Sequence, residues 1–146
     1  MQPIIPDQMQ PEHKLQAQCV LWFSQTFPLR RGELFATFSE QGAEVASHKL
    51  SMGLVKALPD LLQSSEQRLN AIELKAKGSR HNVEHLRSQA KWMLRFSSVG
   101  WFCDSLEMFQ NIIVNHGAGI HPLAVLNALS GVTSKTVDWD KLTERL

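Results

Sequence analysis

Cysteine is scarce in this chain of 146 residues, where only Cys19 and Cys103 occur, far apart and without a CxxC pair. That scarcity excludes a disulfide framework, a thioredoxin-like motif and a cysteine-built zinc site, and it fits a reducing cytoplasm. The six histidines include no HExxH, so a zinc hydrolase is not indicated either; His81 and His85, four apart, are expected to face solvent or a polyanion. Strong charge of one sign is also missing, with a formal net charge of +1, so any footprint for a nucleic acid must be local. No apolar run reaches membrane-spanning length, and Met1 to Asp7 has neither the basic start nor the apolar stretch of a secretory leader. There is no internal repeat and no low-complexity segment. What is present, 43% hydrophobic and 20% charged residues, is ordinary for one cored domain.

Periodicity supplies the elements. Leu15, Cys19, Trp22 and Phe23 recur at helical spacing, Pro11 suits a first helical position and Pro28 stops the run, which predicts a helix over 11–26. Leu34 to Phe38 has the composition of a short strand, and Gly42 to Met52 reads as a short helix or irregular connection. Asp60 to Gln63 and Leu69 to Ala76 flank a polar stretch and predict a hairpin. A helix over 82–97 with Asn82 as cap follows, then a strand at Gly100 to Cys103, then a helix capped by Ser105 and ended at Gly117. Pro122 suits the start of a further short helix, and a last helical stretch runs from about Asp138. Trp22, Trp92 and Trp101 read as core, and Trp139 as a packing anchor for the terminal helix.

One constellation carries chemistry. In Ala71-Ile72-Glu73-Leu74-Lys75, strand alternation puts Ile72 and Leu74 on one face and Glu73 and Lys75 on the other. Twelve residues separate Asp60 from Glu73, enough for a strand, a turn and most of a return strand, so the two carboxylates can converge. Two carboxylates and the backbone carbonyl of Leu74 make a partial oxygen shell for Mg²⁺, which prefers near-octahedral oxygen ligands at about 2.0–2.1 Å. A lysine beside such a site can orient water and offset charge on a phosphate in flight. The competing reading is a solvated strand face with Asp60 in a turn. Lys75, Lys77, Arg80, Arg87, Lys91 and Arg95 form a local basic excess that suits a phosphate backbone, or a plain solvated helix face. The turn Gly78-Ser79-Arg80-His81 offers backbone N–H groups and Arg80 to a phosphate.

The segments Gly53-Leu54-Val55-Lys56-Ala57-Leu58-Pro59-Asp60-Leu61 and Ile72-Glu73-Leu74-Lys75, followed by Gln89, resemble the VRR-NUC family of PD-(D/E)xK nucleases. The resemblance runs from about Glu12 to His116, with residues 117–146 outside the pattern; Ala57 departs from the glycine of many relatives without touching a ligand. It implies an α+β, restriction-endonuclease-like αβββαβ core over residues 1–116, its first ten residues flexible, with a mixed sheet flanked by helices and a helical extension over 117–146 packed on the same domain. Asp60, Glu73 and the Leu74 carbonyl are then expected to hold Mg²⁺ (or Mn²⁺), with Glu12 as a further ligand. Lys75 would be catalytic and Gln89 would support the site, while Lys77, Arg80, Arg87 and Lys91 would contact DNA. The implied activity is metal-dependent hydrolysis of DNA phosphodiesters, selective for junctions or flaps, by a cytoplasmic homodimer of phage or mobile-element type. The alternative is a non-catalytic DNA-binding or assembly module on the same fold.

Overall fold

The structure, a computed structural model, describes residues 9–37, 58–65, 68–95, 100–115 and 119–146. Helix α1, Pro11–Thr26, places Pro11 in its first turn and buries Leu15, Cys19 and Phe23, a four-residue spacing that keeps one face inward. It ends where the Phe27 N–H bonds back to the Phe23 carbonyl and Pro28 opens a short 3-10 turn. Strand β1 follows at Leu34–Ala36, then β2 (Leu61–Ser65) and β3 (Arg68–Leu74) as the expected antiparallel hairpin, in register from Leu61 opposite Ile72 to Ser65 opposite Arg68. The expected element over Gly42 to Met52, the motif residues 53–57 and the helix end at Gly117 lie outside the described residues.

Helix α2 spans Val83–Arg95 and is capped as expected, the Asn82 side chain accepting from the His85 N–H at 3.0 Å. It crosses over to β5, Gly100–Cys103, which lies parallel to β3 and completes a mixed sheet of order β1-β2-β3-β5. A Cβ at Gly100 would meet Met93 Cβ at 2.7 Å, so glycine there lets the strand lie against α2. Helix α3, Leu106–Asn115, begins with Ser105 Oγ accepting from the Met108 N–H at 3.0 Å, the cap its sequence suggested.

The sheet's two faces are covered separately. Leu61, Ile72, Leu74 and Cys103 pack with α1 and with Phe109, Ile112 and Ile113 of α3. On the other face Phe102 packs with Val83, Leu86, Ala90 and Met93 of α2, and with helices α4 (Pro122–Leu129) and α5 (Trp139–Thr143). The α+β expectation of a mixed sheet flanked by helices is therefore what the chain forms. Trp22, Trp92 and Trp101 turn out only partly buried against these clusters, whereas Trp139 is fully enclosed.

A second ribbon was not expected. Residues Arg80–Asn82 form β4, paired antiparallel with β6, Thr136–Asp138, so that His81 faces Val137 in register. Three residues make too short a run to show period-two alternation, and the partner lies more than fifty positions away. No helix among the described residues is long and apolar enough to cross a membrane.

Candidate functional site

The site forms where β3 ends. Ile72 and Leu74 enter the α1–α3 core, and alternation sends Glu73 and Lys75 to the opposite side of the strand. Carried one residue past the end of β2, the hairpin register sets Asp60 opposite Glu73. Thr37 fastens this corner, donating its hydroxyl to the Pro59 carbonyl and its N–H to the Asp60 carbonyl at 3.0 Å. Asp60 Oδ2 accepts from the Leu74 N–H at 2.7 Å, which turns that peptide toward β2. In a paired strand the carbonyl of a residue points the same way as its N–H, so the Leu74 carbonyl lies on the Asp60 side.

Burial is extreme for polar and charged groups: Glu73 is 4% exposed, Lys75 3% and the neutral amide of Gln89 5%. Glu73 Oε1 receives two donors, Gln89 Nε2 at 2.9 Å and Lys75 Nζ at 3.3 Å. Its other oxygen, Oε2, is buried with no hydrogen-bond partner. Burial holds the Glu73 carboxyl well above the usual carboxylate range; the Lys75 ammonium opposes this and the neighbouring Asp60 carboxylate adds to it. The lysine and the glutamine thus hold one oxygen and leave the other bare.

Glu12 reaches the same place from the first turn of α1. Burial raises its pKa, with the Lys75 ammonium pulling down and Asp60 pushing up. Its Oε1 is buried and lies 3.3 Å from His81 Nε2 without the alignment of a hydrogen bond. His81 is held down to about 4, first by burial and then by Lys75 and His85, so at neutral pH the imidazole in this contact is uncharged. The ring also meets Ser79 Oγ at 2.6 Å. His85 Nε2 lies 3.2 Å from Gln89 Nε2. The expectation that these histidines face solvent or DNA is thus corrected for His81, which is turned toward Glu12 and half-buried. Ser79, His81 and His85 were missed as site residues; the four-residue spacing of His85 and Gln89 was the one signal for them, since neighbours on a helix face recur at that interval.

Compared with protein families, curated proteins and solved structures, the chain matches none of them. Among the described residues, no three His, Cys, Asp or Glu side chains converge as a ready-made metal cage. Glu12 therefore does not join Asp60 and Glu73 in one, and the candidate donor set is two carboxylates and a main-chain carbonyl. The set still suits a hard cation. Glu12 and Glu73 each lie in the field of the Lys75 ammonium and of Asp60, and a buried Glu73 oxygen stands unpaired, which costs about 1–3 kcal/mol or more without a partner.

The residues expected at DNA divide. Lys77 and Lys91 are exposed, and Arg80 is exposed with its Nε donating to Thr136 Oγ1 at 2.9 Å. Arg87 instead has an internal task, its Nη2 donating to the carbonyls of Leu129 at 3.1 Å and Val132 at 3.3 Å, which closes the C-terminal end of α4. The Gly78 N–H expected to meet a phosphate is taken by both oxygens of Asp140, each at 3.0 Å.

Proposed function

We propose that the chain is a magnesium-dependent deoxyribonuclease of the VRR-NUC kind, in which Asp60, Glu73 and the Leu74 carbonyl hold the ion and Lys75 is the catalytic lysine. The observation that carries this reading is the bare, buried Oε2 of Glu73 beside Asp60, with Lys75 and Gln89 both committed to Oε1. A strand face that was merely solvated would expose these groups, and it would have no reason to gather like charges out of water. When bound, Mg²⁺ supplies an acidified water and neutralises charge on the scissile phosphate.

The chain's own groups divide the remaining work. Gln89 keeps Glu73 Oε1 satisfied through the shorter of the two bonds, so Lys75 can release that oxygen and turn its ammonium to a phosphate oxygen without leaving an orphan behind. Asp60 is fixed by the Leu74 N–H, so its carboxylate needs no reorganisation to face Glu73. Lys77, Lys91 and Arg80, exposed on the turn and helix that follow, supply salt-sensitive contacts to the DNA backbone.

The test is cleavage of labelled linear, flap and four-way-junction DNA with Mg²⁺ by the wild type, Asp60→Ala and Lys75→Ala. Cleavage by the wild type, with both variants down by about 10²–10³ as for loss of a charge-stabilising group, supports the reading. Equal rates in all three would sink the site, and DNA retention without cutting by any of them would make the chain a binding module.

A further inference from the structure

Gln89 has a second partner besides Glu73. His85 stands four residues before it on α2, where neighbours on a helix surface meet, and its Nε2 lies 3.2 Å from Gln89 Nε2. The Asn82 side chain holds the start of this turn, accepting from the His85 N–H at 3.0 Å. His85 is exposed and Gln89 is buried, so the two side chains run as a chain of contacts from solvent to the Glu73 carboxyl.

The donor count assigns each proton. A side-chain amide nitrogen carries two N–H groups and accepts nothing. One N–H goes to Glu73 Oε1 at 2.9 Å, and the other can meet the imidazole only where the ring offers a lone pair. His85 therefore accepts at Nε2 and carries its own proton on Nδ1. Turning the amide over would set Gln89 Oε1 against Glu73 Oε1, two acceptors face to face once Glu73 is the carboxylate that a metal ligand has to be. The ring is suited to accepting, because burial and then the Lys75 ammonium hold His85 below its ordinary 6.5 and leave it uncharged at neutral pH. Both amide N–H groups are thus spent, and Gln89 Oε1 is the atom left buried without a partner.

We infer that His85 is a positioning residue that acts through Gln89: by accepting the second amide N–H at Nε2, it keeps the first aimed at Glu73 Oε1. The terminal torsion of a glutamine is broad, so a single bond fixes the amide poorly and two bonds fix it well. Gln89 is the donor that stays on Oε1 when Lys75 turns to a phosphate, so a slack amide would be felt at that step. The kinetic consequence rests on the nuclease reading, whereas the tautomer of His85 can be read without turnover.

The experiment has two arms, both on the full chain with Mg²⁺ present. Nitrogen-15 NMR of the imidazole rings above neutral pH reads which nitrogen of His85 carries the proton, the signal being assigned by its loss in His85→Gln. The wild type is expected to show the Nδ1–H form at His85, and Gln89→Leu to return it to the Nε2–H form that a free imidazole favours in water. In the second arm kcat and KM on cleavable DNA are compared for the wild type, His85→Leu and His85→Gln. Loss of an outer partner of a metal site costs about 10–100-fold, and His85 stands one side chain further out than Gln89, so His85→Leu is expected to lower kcat by about tenfold. KM should stay within about twofold, since Lys77, Arg80 and Lys91 are the proposed backbone contacts. His85→Gln, whose carbonyl can accept at the same reach, is expected to recover most of the loss. An Nε2–H form at His85 in the wild type overturns the inference, as does a His85→Leu protein with wild-type kcat or a His85→Gln protein no better than His85→Leu. Should His85→Leu fail to fold, the tautomer decides alone. A wild type with the Nδ1–H form that cuts no DNA removes the nuclease reading and leaves the hold on Gln89 standing, whereas an active wild type with the Nε2–H form removes the inference alone.

Discussion

Gln89, on the buried face of α2, reaches across to β3 and donates its amide to Glu73 Oε1 at 2.9 Å. The bond joins an element of the crossover helix to the strand that carries the charged pair, and hydrogen bonds to charged groups contribute about 1.5–3 kcal/mol. Gln89→Leu should therefore lower the melting temperature by roughly 3–12 °C for a chain of this size. It should also slow cleavage, since Lys75 would then be the last donor left on Oε1. Calorimetric melting at low ionic strength checks it, and an unchanged midpoint would mean that the bond contributes nothing.

Divalent metal should stabilise the fold through the same carboxylates. A ligand at a hundred times its dissociation constant adds about 2.7 kcal/mol to a state that alone binds it. Mg²⁺ or Mn²⁺ added to chelator-treated protein should raise the melting temperature of the wild type, and this rise should vanish in Asp60→Asn and in Glu73→Gln. A rise of equal size in those variants would place the ion elsewhere.

Arg87 separates structure from DNA contact. Because its guanidinium closes the end of α4 on the carbonyls of Leu129 and Val132, Arg87→Gln should cost about 1–3 kcal/mol of stability and leave DNA affinity near the wild-type value. Lys77→Gln and Lys91→Gln, both at exposed positions, should do the reverse, weakening DNA retention and flattening its salt dependence by about one counterion each. Fluorescence anisotropy across a salt series, paired with thermal melts, distinguishes the two patterns; the opposite assignment would overturn this division.

Acidification should cost stability through His81. Burial, with Lys75 and His85, holds its folded-state pKa down to about 4 against 6.5 in the unfolded chain. Between those values the unfolded state binds a proton that the native state refuses, so stability is full above pH 6.5 and falls as pH drops toward 4. The loss is below about 3 kcal/mol, the conversion of 1.36 kcal/mol per pKa unit being discounted for solvent screening of a half-buried ring. Glu12, whose pKa is raised by burial, works in the opposite sense, since the native state takes up its proton above the unfolded value of 4.5. Denaturant unfolding from pH 7 to 4 in chelator should show a shallower decline for His81→Gln than for the wild type, and parallel slopes would remove His81 as the cause.

Much of this protein was legible without coordinates. Helix α1 begins and ends at the residues its prolines and apolar spacing named, β5 spans Gly100–Cys103 as read, and Asn82 and Ser105 cap their helices, because these features are local and follow from backbone chemistry within a few residues. The separation of Glu73 and Lys75 from Ile72 and Leu74 was equally fixed, by the two-residue period of a strand. What tertiary structure alone decided is non-local. The β4–β6 ribbon, the inward turn of His81, the assignment of Arg87 to the end of α4 and the loss of the Gly78 N–H to Asp140 each join segments more than forty residues apart, His81 and Glu12 among them. So too with Glu73: sequence placed its carboxylate on the charged face, but only the packing of α2 over β3 set Gln89 and Lys75 on one oxygen and left the other buried and bare.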